Sequence, residues 1–404
     1  MPDETTLGAR LRRIRRERKL SQEQLAERAG ISIEMVRKTE QGQRYPRVPV
    51  LMRIAQALDT PLSELADNRP RLDGVEEGAS VLALRDVLLS PSVIPGLGMA
   101  EAGEPSTVQR LQAAADDAGA TYWQGDFPRM AAILPSLISS ARLTREEAGA
   151  GAAGVLAQLY DLSAALLVHL GKEDLAAVAA ERAISAAVSA GDEQLHAMMQ
   201  GTYAWVLLHQ GRLEEAERIA AAAADRIEPP FSAPAERIAA WGSLLMTALG
   251  PAAAAGRDTV EDYIRLASAG AERLGRRVRV YQTSFAPATV HMQATYAYAV
   301  AREPGKALQA AGRVRPGDLP GTISRGRHLL DVAQAHVDAR HGTEATAVLA
   351  EASALAPVWF RHQGVARVLV SELLEQQHRL TRPLRELAIA TDAGGYARYY
   401  RQQE

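Results

Sequence analysis

Hydrogen-bonding and charged side chains are closely spaced in one short stretch near the N-terminus. Between Leu20 and Arg47 the chain offers hydroxyl, amide, carboxylate, ammonium and guanidinium groups at close spacing. These groups belong to Ser21, Gln22, Ser32, Glu34, Arg37, Lys38, Arg44 and Arg47. Hydroxyl, amide and cationic groups donate hydrogen bonds to phosphate oxygens and, when a rigid helix holds them, to the edges of bases. The stretch is therefore a candidate surface for binding a nucleic acid.

The elements that must hold these groups are two short helices joined by a turn. Ser21 and Ser32 can each cap the first turn of a helix, and Gln24 stands where a capping-box partner of Ser21 would be. Gly30 supplies the turn between the helices. Apolar or small residues at helical spacing would pack the two helices at a steep angle: Leu25, Ala26, Ala29, Ile31, Val36 and Thr39. This pattern predicts a helix-turn-helix, in which the second helix fits the major groove of B-DNA.

The segments LRRIRRERK, LSQEQLAERAGIS, TEQG and VPVLMRIAQALDTPLSELA fall at the spacing of a known family. Residues 6–67 resemble the lambda-repressor-like, or xenobiotic-response-element, family of five-helix DNA-binding domains. The resemblance implies that Ser21 and Gln22 contact backbone phosphate. It also implies that the second helix directs side chains toward bases or phosphates, namely Ser32, Ile33, Glu34, Arg37 and Lys38. Glu40 is implied to pair internally with Arg15, as a structural contact.

Two further expectations concern specificity and positioning. Ile33 occupies a position where many relatives carry a polar residue, which favours an apolar contact with a thymine methyl group over a hydrogen bond. Arg44 and Arg47 follow the second helix on a loop that contains proline, where they could hold phosphate without reading sequence.

The charge distribution agrees with a DNA-binding N-terminal segment. Between Arg10 and Arg53 there are 13 basic and five acidic residues, whereas the whole chain has a net charge of −2. The rest of the chain is therefore acidic. A basic segment can neutralise DNA phosphates, and the counterions released from the DNA then favour binding. The chain contains no cysteine, which excludes disulfides, thiolate metal sites and a cysteine nucleophile. With no signal-like segment at Met1, we expect a cytoplasmic protein that does not span a membrane.

We expect neither catalysis nor a resident cofactor or metal. Phosphate-binding loops, zinc-protease motifs and serine-hydrolase motifs are missing from the sequence, and the nine histidines lack the paired spacing of metal ligands.

The predicted organisation is all-α in three segments: a five-helix helix-turn-helix domain at 1–67, a linker with one short helix at 68–105, and a helical repeat domain at 106–404. No convincing strand is predicted beyond residue 104. Within the repeat domain the pattern Ala164, Leu167, Gly171, Ala176, Ala180, Ala183 recurs as Ala204, Leu207, Gly211, Ala216, Ala220, Ala223. Less perfect copies contain Thr295, Tyr298 and Ala307, and then Ala333, Arg340, Ala345, Leu349 and Ala352. These offsets resemble the tetratricopeptide repeat, which implies a right-handed α-solenoid of stacked helix pairs.

Stacked helix pairs form a groove that can bind a peptide, a protein or a small ligand. The repeat offsets place six candidate ligand-binding residues in this groove: His169, Trp205, His209, Tyr296, Gln334 and Asp338. Trp205 could equally be a packing residue.

A helix-turn-helix joined to such repeats resembles the peptide-sensing regulators of Gram-positive bacteria and, in its Arg-rich and Ala-rich composition, a group of actinobacterial regulators. The chain has a single asparagine, Asn68, outside the repeats, whereas the peptide-sensing group uses groove asparagines to hold its peptide. The sequence therefore predicts a homodimeric regulator that binds an inverted-repeat operator and responds to a small molecule or peptide. The alternative is an adaptor whose repeat domain binds a partner protein without a small ligand.

Overall fold

The structure is a computed structural model that describes residues 7–42, 44, 46, 48–60, 65, 75–90, 105–361, 363–376, 380–391 and 393. Contacts divide the chain into two compact units. The first contains residues 1–69, 210–212 and 291–404, and the second contains residues 70–209 and 213–290. The predicted repeat segment, 106–404, is thus shared between the two units. The predicted limits of the three segments stay a prediction.

The N-terminal part of the first unit is a cluster of short helices. They are α1 (Leu7–Glu17), α2 (Gln22–Ala29), α3 (Ile33–Glu40) and α4 (Val48–Ala57). One apolar cluster joins them, because each helix directs a stripe of apolar side chains inward: Leu7, Leu11, Ile14, Leu25, Val36, Leu51, Ile54 and Leu58. A fifth helix is predicted for this domain; of the residues between Thr60 and residue 67, the structure describes only Leu65, which is buried in the same cluster.

The second unit consists of helices with one small sheet. It contains α5 (Val75–Leu89), α6 (Val108–Gln124), α7 (Phe127–Ala148), α8 (Ala150–His169), α9 (Glu173–Ala190), α10 (Glu193–His209), α11 (Leu213–Arg226), α12 (Ala235–Ala255), α13 (Val260–Leu274), β1 (Val278–Val280) and β2 (Thr283–Phe285).

The C-terminal part of the first unit is again helical. After α14 (Pro287–Val300), where the chain passes from the second unit to the first, it contains α15 (Pro304–Ala311), a short 3-10 turn at Pro316–Asp318, α16 (Gly321–Asp338), α17 (Gly342–Leu355), α18 (Pro357–Arg361), α19 (Gly364–Gln376) and α20 (Arg382–Thr391). Helix α16 packs against α19. Val368 of α19 is buried in the apolar cluster of α1–α4.

The all-α class with an N-terminal helix-turn-helix and helical repeats is confirmed. The two clear sequence repeats correspond to the helix pairs α8–α9 and α10–α11, and their repeated alanines and leucines are buried. Gly171 and Gly211 occupy the turns of these pairs with φ values of 65° and 80°, in the left-handed region that glycine adopts without strain. In the weaker repeats, α14–α15 and α16–α17, Arg302 and Arg340 take the same position with φ values of 63° and 61°.

The expectation of no strand beyond residue 104 is wrong at one place. Strands β1 and β2 form an antiparallel hairpin in the register Val278 to Phe285 and Val280 to Thr283. The turn residue Tyr281 has a φ of 48°, and its hydroxyl donates to Asp192 Oδ2 at 2.8 Å. Contacts with helices thus hold a hairpin whose turn lacks the usual Gly or Asn signal.

Two helices, α8 and α12, are long and apolar enough to cross a membrane by length and composition alone. In the fold, 78% and 72% of their most apolar windows are buried against other helices. Both are therefore accounted for as core helices of the second unit.

Candidate nucleic-acid interface and repeat-domain clusters

Caps at both helix starts fix the helix-turn-helix. Ser21 Oγ accepts from the backbone N–H of Gln24 at 3.1 Å, and Gln24 Oε1 accepts from the backbone N–H of Ser21 at 2.8 Å, which completes the predicted capping box. Gly30 ends α2 in the left-handed conformation with a φ of 60°. Ser32 Oγ then accepts from the backbone N–H of Met35 at 3.2 Å and starts α3. Each turn residue thus has a defined backbone role, and the direction of α3 follows from them.

The outward face of α3 is polar. Ser32, Glu34 and Arg37 are exposed, and Lys38 is partly exposed. Arg37 Nη2 lies 3.8 Å from Glu23 Oε1, and Lys38 Nζ lies 3.4 Å from Glu34 Oε1. Exposed pairs of this kind contribute little to stability, so DNA phosphates or bases could replace these partners at low cost.

Ile33, Ser21 and Gln22 differ in their exposure to solvent. Ile33 is half-buried and packs against the apolar cluster of the domain, so only part of its side chain could reach a thymine methyl group. Ser21 is exposed at the start of α2, whereas Gln22 is half-buried.

A buried ion pair holds α3 against α1. Arg15 Nε donates to Glu40 Oε1 at 2.6 Å and Arg15 Nη2 donates to Glu40 Oε2 at 3.0 Å, so the two residues implied to pair are in bidentate contact. Gln22 Nε2 donates to Glu40 Oε2 at 2.7 Å. Desolvation alone would raise the pKa of Glu40, but hydrogen bonds from Arg15 and Gln22 outweigh it and lower the pKa below its usual value. Gln22, expected only at phosphate, therefore also supports the base of α3.

Three arginines in α1 and in the turn after it donate hydrogen bonds to backbone carbonyl groups of the protein. Arg10 Nε donates to the carbonyl oxygen of Leu65 at 3.1 Å, and Arg12 Nη2 to that of Glu40 at 3.2 Å. Arg18 Nε donates to the carbonyl oxygen of Leu58 at 2.9 Å. The basic composition of this segment therefore serves domain assembly as well as attraction to DNA, a distinction that composition does not make.

The loop after α3 is described only in part. Arg44 is exposed, and its backbone N–H donates to the carbonyl oxygen of Lys38 at 3.2 Å. This bond ties the start of the loop to the last turn of α3. Arg47 lies outside the described residues, so its expected phosphate contact stays a prediction.

Three of the six predicted groove residues form one aromatic cluster in the second unit. The His169 ring stacks on Phe127 with ring centroids 5.0 Å apart, and it lies 5.9 Å from the Trp205 ring. Trp205 meets His209 edge to face at 4.6 Å. The Tyr122 hydroxyl lies 3.1 Å from His169 Nε2. His169, Trp205 and His209 are each half-buried, so the cluster combines ring faces with hydrogen-bonding nitrogens near solvent.

The other three predicted groove residues lie in the first unit. Gln334 Nε2 donates to Asp338 Oδ2 at 3.2 Å, and Arg302 Nη2 lies 3.7 Å from Asp338 Oδ1. Desolvation raises the pKa of Tyr296 to about 12, with a further contribution from Asp331. Burial also raises the pKa of Asp331 to about 7. These polar groups lie on α14, on the turn after it and on α16, and we refer to them together as the polar cluster.

Sequence reasoning missed several members of both clusters. Tyr122 and Phe127 belong to the aromatic cluster, and Arg302 and Asp331 belong to the polar cluster. The stretch from Tyr122 to Phe127, with its dense aromatic residues, was the signal available for the first pair. Arg302 stands at the Gly position of its repeat, so an alignment restricted to small residues passes over it.

Comparison with known proteins supports the N-terminal assignment. Residues 6–67 match the family of the helix-turn-helix domain. Among solved structures, the crystal structure of Bacillus thuringiensis PlcR in complex with the peptide PapR7 and DNA is similar at 15% identity, covering 67% of this chain and 95% of that chain, with a TM-score of 0.29. Comparison with curated protein sequences gives no match. The matched residues span α1–α4, so this part of the chain is a helix-turn-helix domain.

Proposed function

We propose that this chain is a homodimeric, sequence-specific regulator of transcription that acts in the cytoplasm and responds to an effector bound by its repeat region. The observation that carries the proposal is the exposed polar face of α3, held by two capped helix starts and by the buried Arg15–Glu40 pair. An isolated recognition helix contacts only a few base pairs. Two copies spaced by one turn of DNA would supply operator affinity and select an inverted repeat.

In this proposal, residues of α3 contact the bases, and residues around α3 contact the phosphates. Arg37 is exposed at the middle of α3, and its only described ion-pair partner is the exposed Glu23 at 3.8 Å. It is therefore available to donate two parallel hydrogen bonds to a guanine edge. We assign contact with backbone phosphate to Arg44, which is exposed outside the helix and would set position without reading sequence.

The aromatic cluster around His169 and the polar cluster around Asp338 contain the groove residues predicted from the repeat offsets, and they are two candidate contact sets for an effector. The first offers ring faces, and the second offers a carboxylate beside a guanidinium group. We propose a small molecule or a peptide as the effector. A protein partner bound without a small ligand is the alternative, and pull-down of a stoichiometric protein that changes operator affinity would favour it.

Selection from a random duplex library, followed by binding measurements on the recovered operator and on random DNA, tests the assignment. We expect Arg37→Ala to weaken operator binding by about 1–3 kcal/mol and to relax preference at one base step. Arg44→Ala serves as the matched arginine control and should weaken both DNAs alike. Equal losses on operator and random DNA for both variants would contradict the proposed roles. Failure to select any sequence would contradict the proposal as a whole.

A further inference from the structure

A pocket of about 460 Å³ opens in the first unit beside the first half of α16. It exists because α15 is short. Helix α15 has eight residues, whereas the corresponding second helices of two other pairs, α11 and α17, have 14 each. The chain leaves α15 at Gly312 and runs through Val314 and Leu319 to α16. This loop and the end of α15 form walls of the pocket.

The lining is mainly apolar, with a few polar groups. Its apolar members include Leu308, Val314, Leu319, Leu329 and Val332. The polar members are Arg325, His328, His336 and Glu351. Pockets of a few hundred cubic ångströms with an apolar wall and a few polar groups are typical of small-molecule sites.

His328 is the first sign that polar groups in the pocket wall lack partners. The side chain is buried, with 8% of the residue exposed, and its Nδ1 atom has no hydrogen-bond partner among the described residues. Burial lowers the pKa of His328 to about 4, so the ring is neutral at pH 7. An unpaired polar atom in such a place destabilises the protein unless a partner arrives.

Arg325 is the second sign. It is half-buried in the pocket wall, three residues before His328 on α16, and within the described chain it forms no ion pair. A guanidinium group is a planar cation whose donors match the geometry of carboxylate-like partners. Glu351 is exposed at the rim, where water solvates its charge.

We propose that this pocket binds a small molecule with an apolar, ring-sized body and one anionic group, the body contacting Leu329 and Val332 and the anion pairing with Arg325. This inference rests on the proposed function, because the ligand would be the effector of the regulator. The site is separate from the aromatic cluster and the polar cluster predicted from the repeat offsets. It uses the outer stripe of α16 formed by Arg325, His328, Leu329 and Val332, rather than the stripe of Gln334 and Asp338.

The pocket's place in the fold connects it to the DNA-binding domain. Helix α16, which carries five of the eleven lining residues, packs against α19. Helix α19 contributes Val368 to the apolar cluster of α1–α4. All of these elements belong to the first unit. A ligand that shifts α16 would therefore act on a helix that adjoins the core of the DNA-binding domain.

Two fluorescent probes of the proposed class test the site on the full chain. One is 8-anilinonaphthalene-1-sulfonate, which has a ring body and one anionic group. The other is N-phenyl-1-naphthylamine, which has the same rings without the charge. We expect saturable binding of the sulfonate at one site per chain. Ala311→Phe should fill the pocket and abolish binding of both probes, whereas Ala347→Phe, at an exposed position of α17, should leave both unchanged.

The variant Arg325→Met distinguishes the contribution of the positive charge to binding from that of the apolar wall. This variant should weaken the sulfonate about tenfold and leave the neutral probe unchanged, since it removes one charge-assisted contact. Sulfonate binding that is insensitive to both Ala311→Phe and Arg325→Met overturns the proposal, as does an equal effect of Arg325→Met on the two probes. Operator selection by the same wild-type protein reports on the proposed function separately. Intact operator binding without probe binding would overturn only the pocket.

Discussion

Replacing Glu40 by glutamine tests how the DNA-reading helix is held. The carboxylate of Glu40 is 1% exposed and contacts Arg15, whose side chain is 10% exposed, through two hydrogen bonds of 2.6 and 3.0 Å. The variant keeps the shape of the side chain but leaves the Arg15 guanidinium buried without an opposite charge. Breaking a buried pair on one side costs about 3–5 kcal/mol. Since glutamine still accepts one hydrogen bond, we expect a loss of stability near the lower end of this range, about 3 kcal/mol.

The same pair makes stability depend on pH. The folded pKa of Glu40 lies below its ordinary value of 4.5, so the unfolded chain binds the proton more readily than the native state. The stabilisation is therefore fully present above about pH 5 and is lost as the pH falls through the folded pKa. The glutamine variant lacks this contribution, so the difference between the two proteins should shrink below pH 4.

Hydrogen exchange measured by mass spectrometry on peptides from residues 7–42 reports the local free energy of opening in the full chain. A loss of about 3 kcal/mol corresponds to exchange that is roughly 100-fold faster. The matched control is Glu17→Gln, which removes the exposed Arg13–Glu17 pair at 2.7 Å, with side chains 50% and 55% exposed. In that control the local free energy of opening should fall by about 0.5 kcal/mol or less. Equal acceleration by the two substitutions would refute the assignment of the buried pair as the support of α3.

Other substitutions test the repeat region. Burial raises the pKa of Asp161 to about 6, so the native state retains a proton that the unfolded chain releases, and stability falls as the pH rises from about 4 to 6. Asp161→Asn should remove that fall and stabilise the protein at pH 7.5 by about 2 kcal/mol in urea unfolding. Arg340 has a φ of 61°, so Arg340→Gly should remove about 1–2 kcal/mol of backbone strain. Because this exceeds the entropy cost of glycine, the free energy of unfolding should rise by about 0.5 kcal/mol. A lower melting temperature would contradict this expectation. Gly242→Ala would place a methyl group against the Phe285 ring and should destabilise by about 2 kcal/mol, whereas Gly154→Ala, with its nearest neighbour at 3.7 Å, should not.

The helix-turn-helix could be predicted from sequence because its determinants are local. Ser21 with Gln24, Gly30 and Ser32 act through backbone groups within a few residues, and each occupies the expected cap or turn. The repeats were visible for a similar reason, since close approach of two helices requires a small residue at fixed offsets. Ala164 and Ala204 are both buried at such positions.

Features that depend on distant parts of the chain were not predictable in this way. The β1–β2 hairpin has three-residue strands, and its turn at Tyr281 is stabilised by Asp192, 89 residues away. Likewise, Arg10 and Arg18 donate hydrogen bonds to carbonyl groups 55 and 40 residues further along the chain. The pocket beside α16 depends on the length of α15, which periodicity alone does not fix.

Val368 belongs to the apolar cluster of α1–α4, so it affects whether the helix-turn-helix domain is stable as an isolated fragment. Its side chain is 4% exposed and comes from a helix some three hundred residues after the recognition helix in the sequence. A fragment that stops at residue 67 would leave the surface beneath Val368 open to water and would lose part of its hydrophobic stabilisation. The apolar core of the helix-turn-helix domain therefore includes a side chain from near the other end of the sequence, so a change that displaces α19 should also lower the stability of α1–α4.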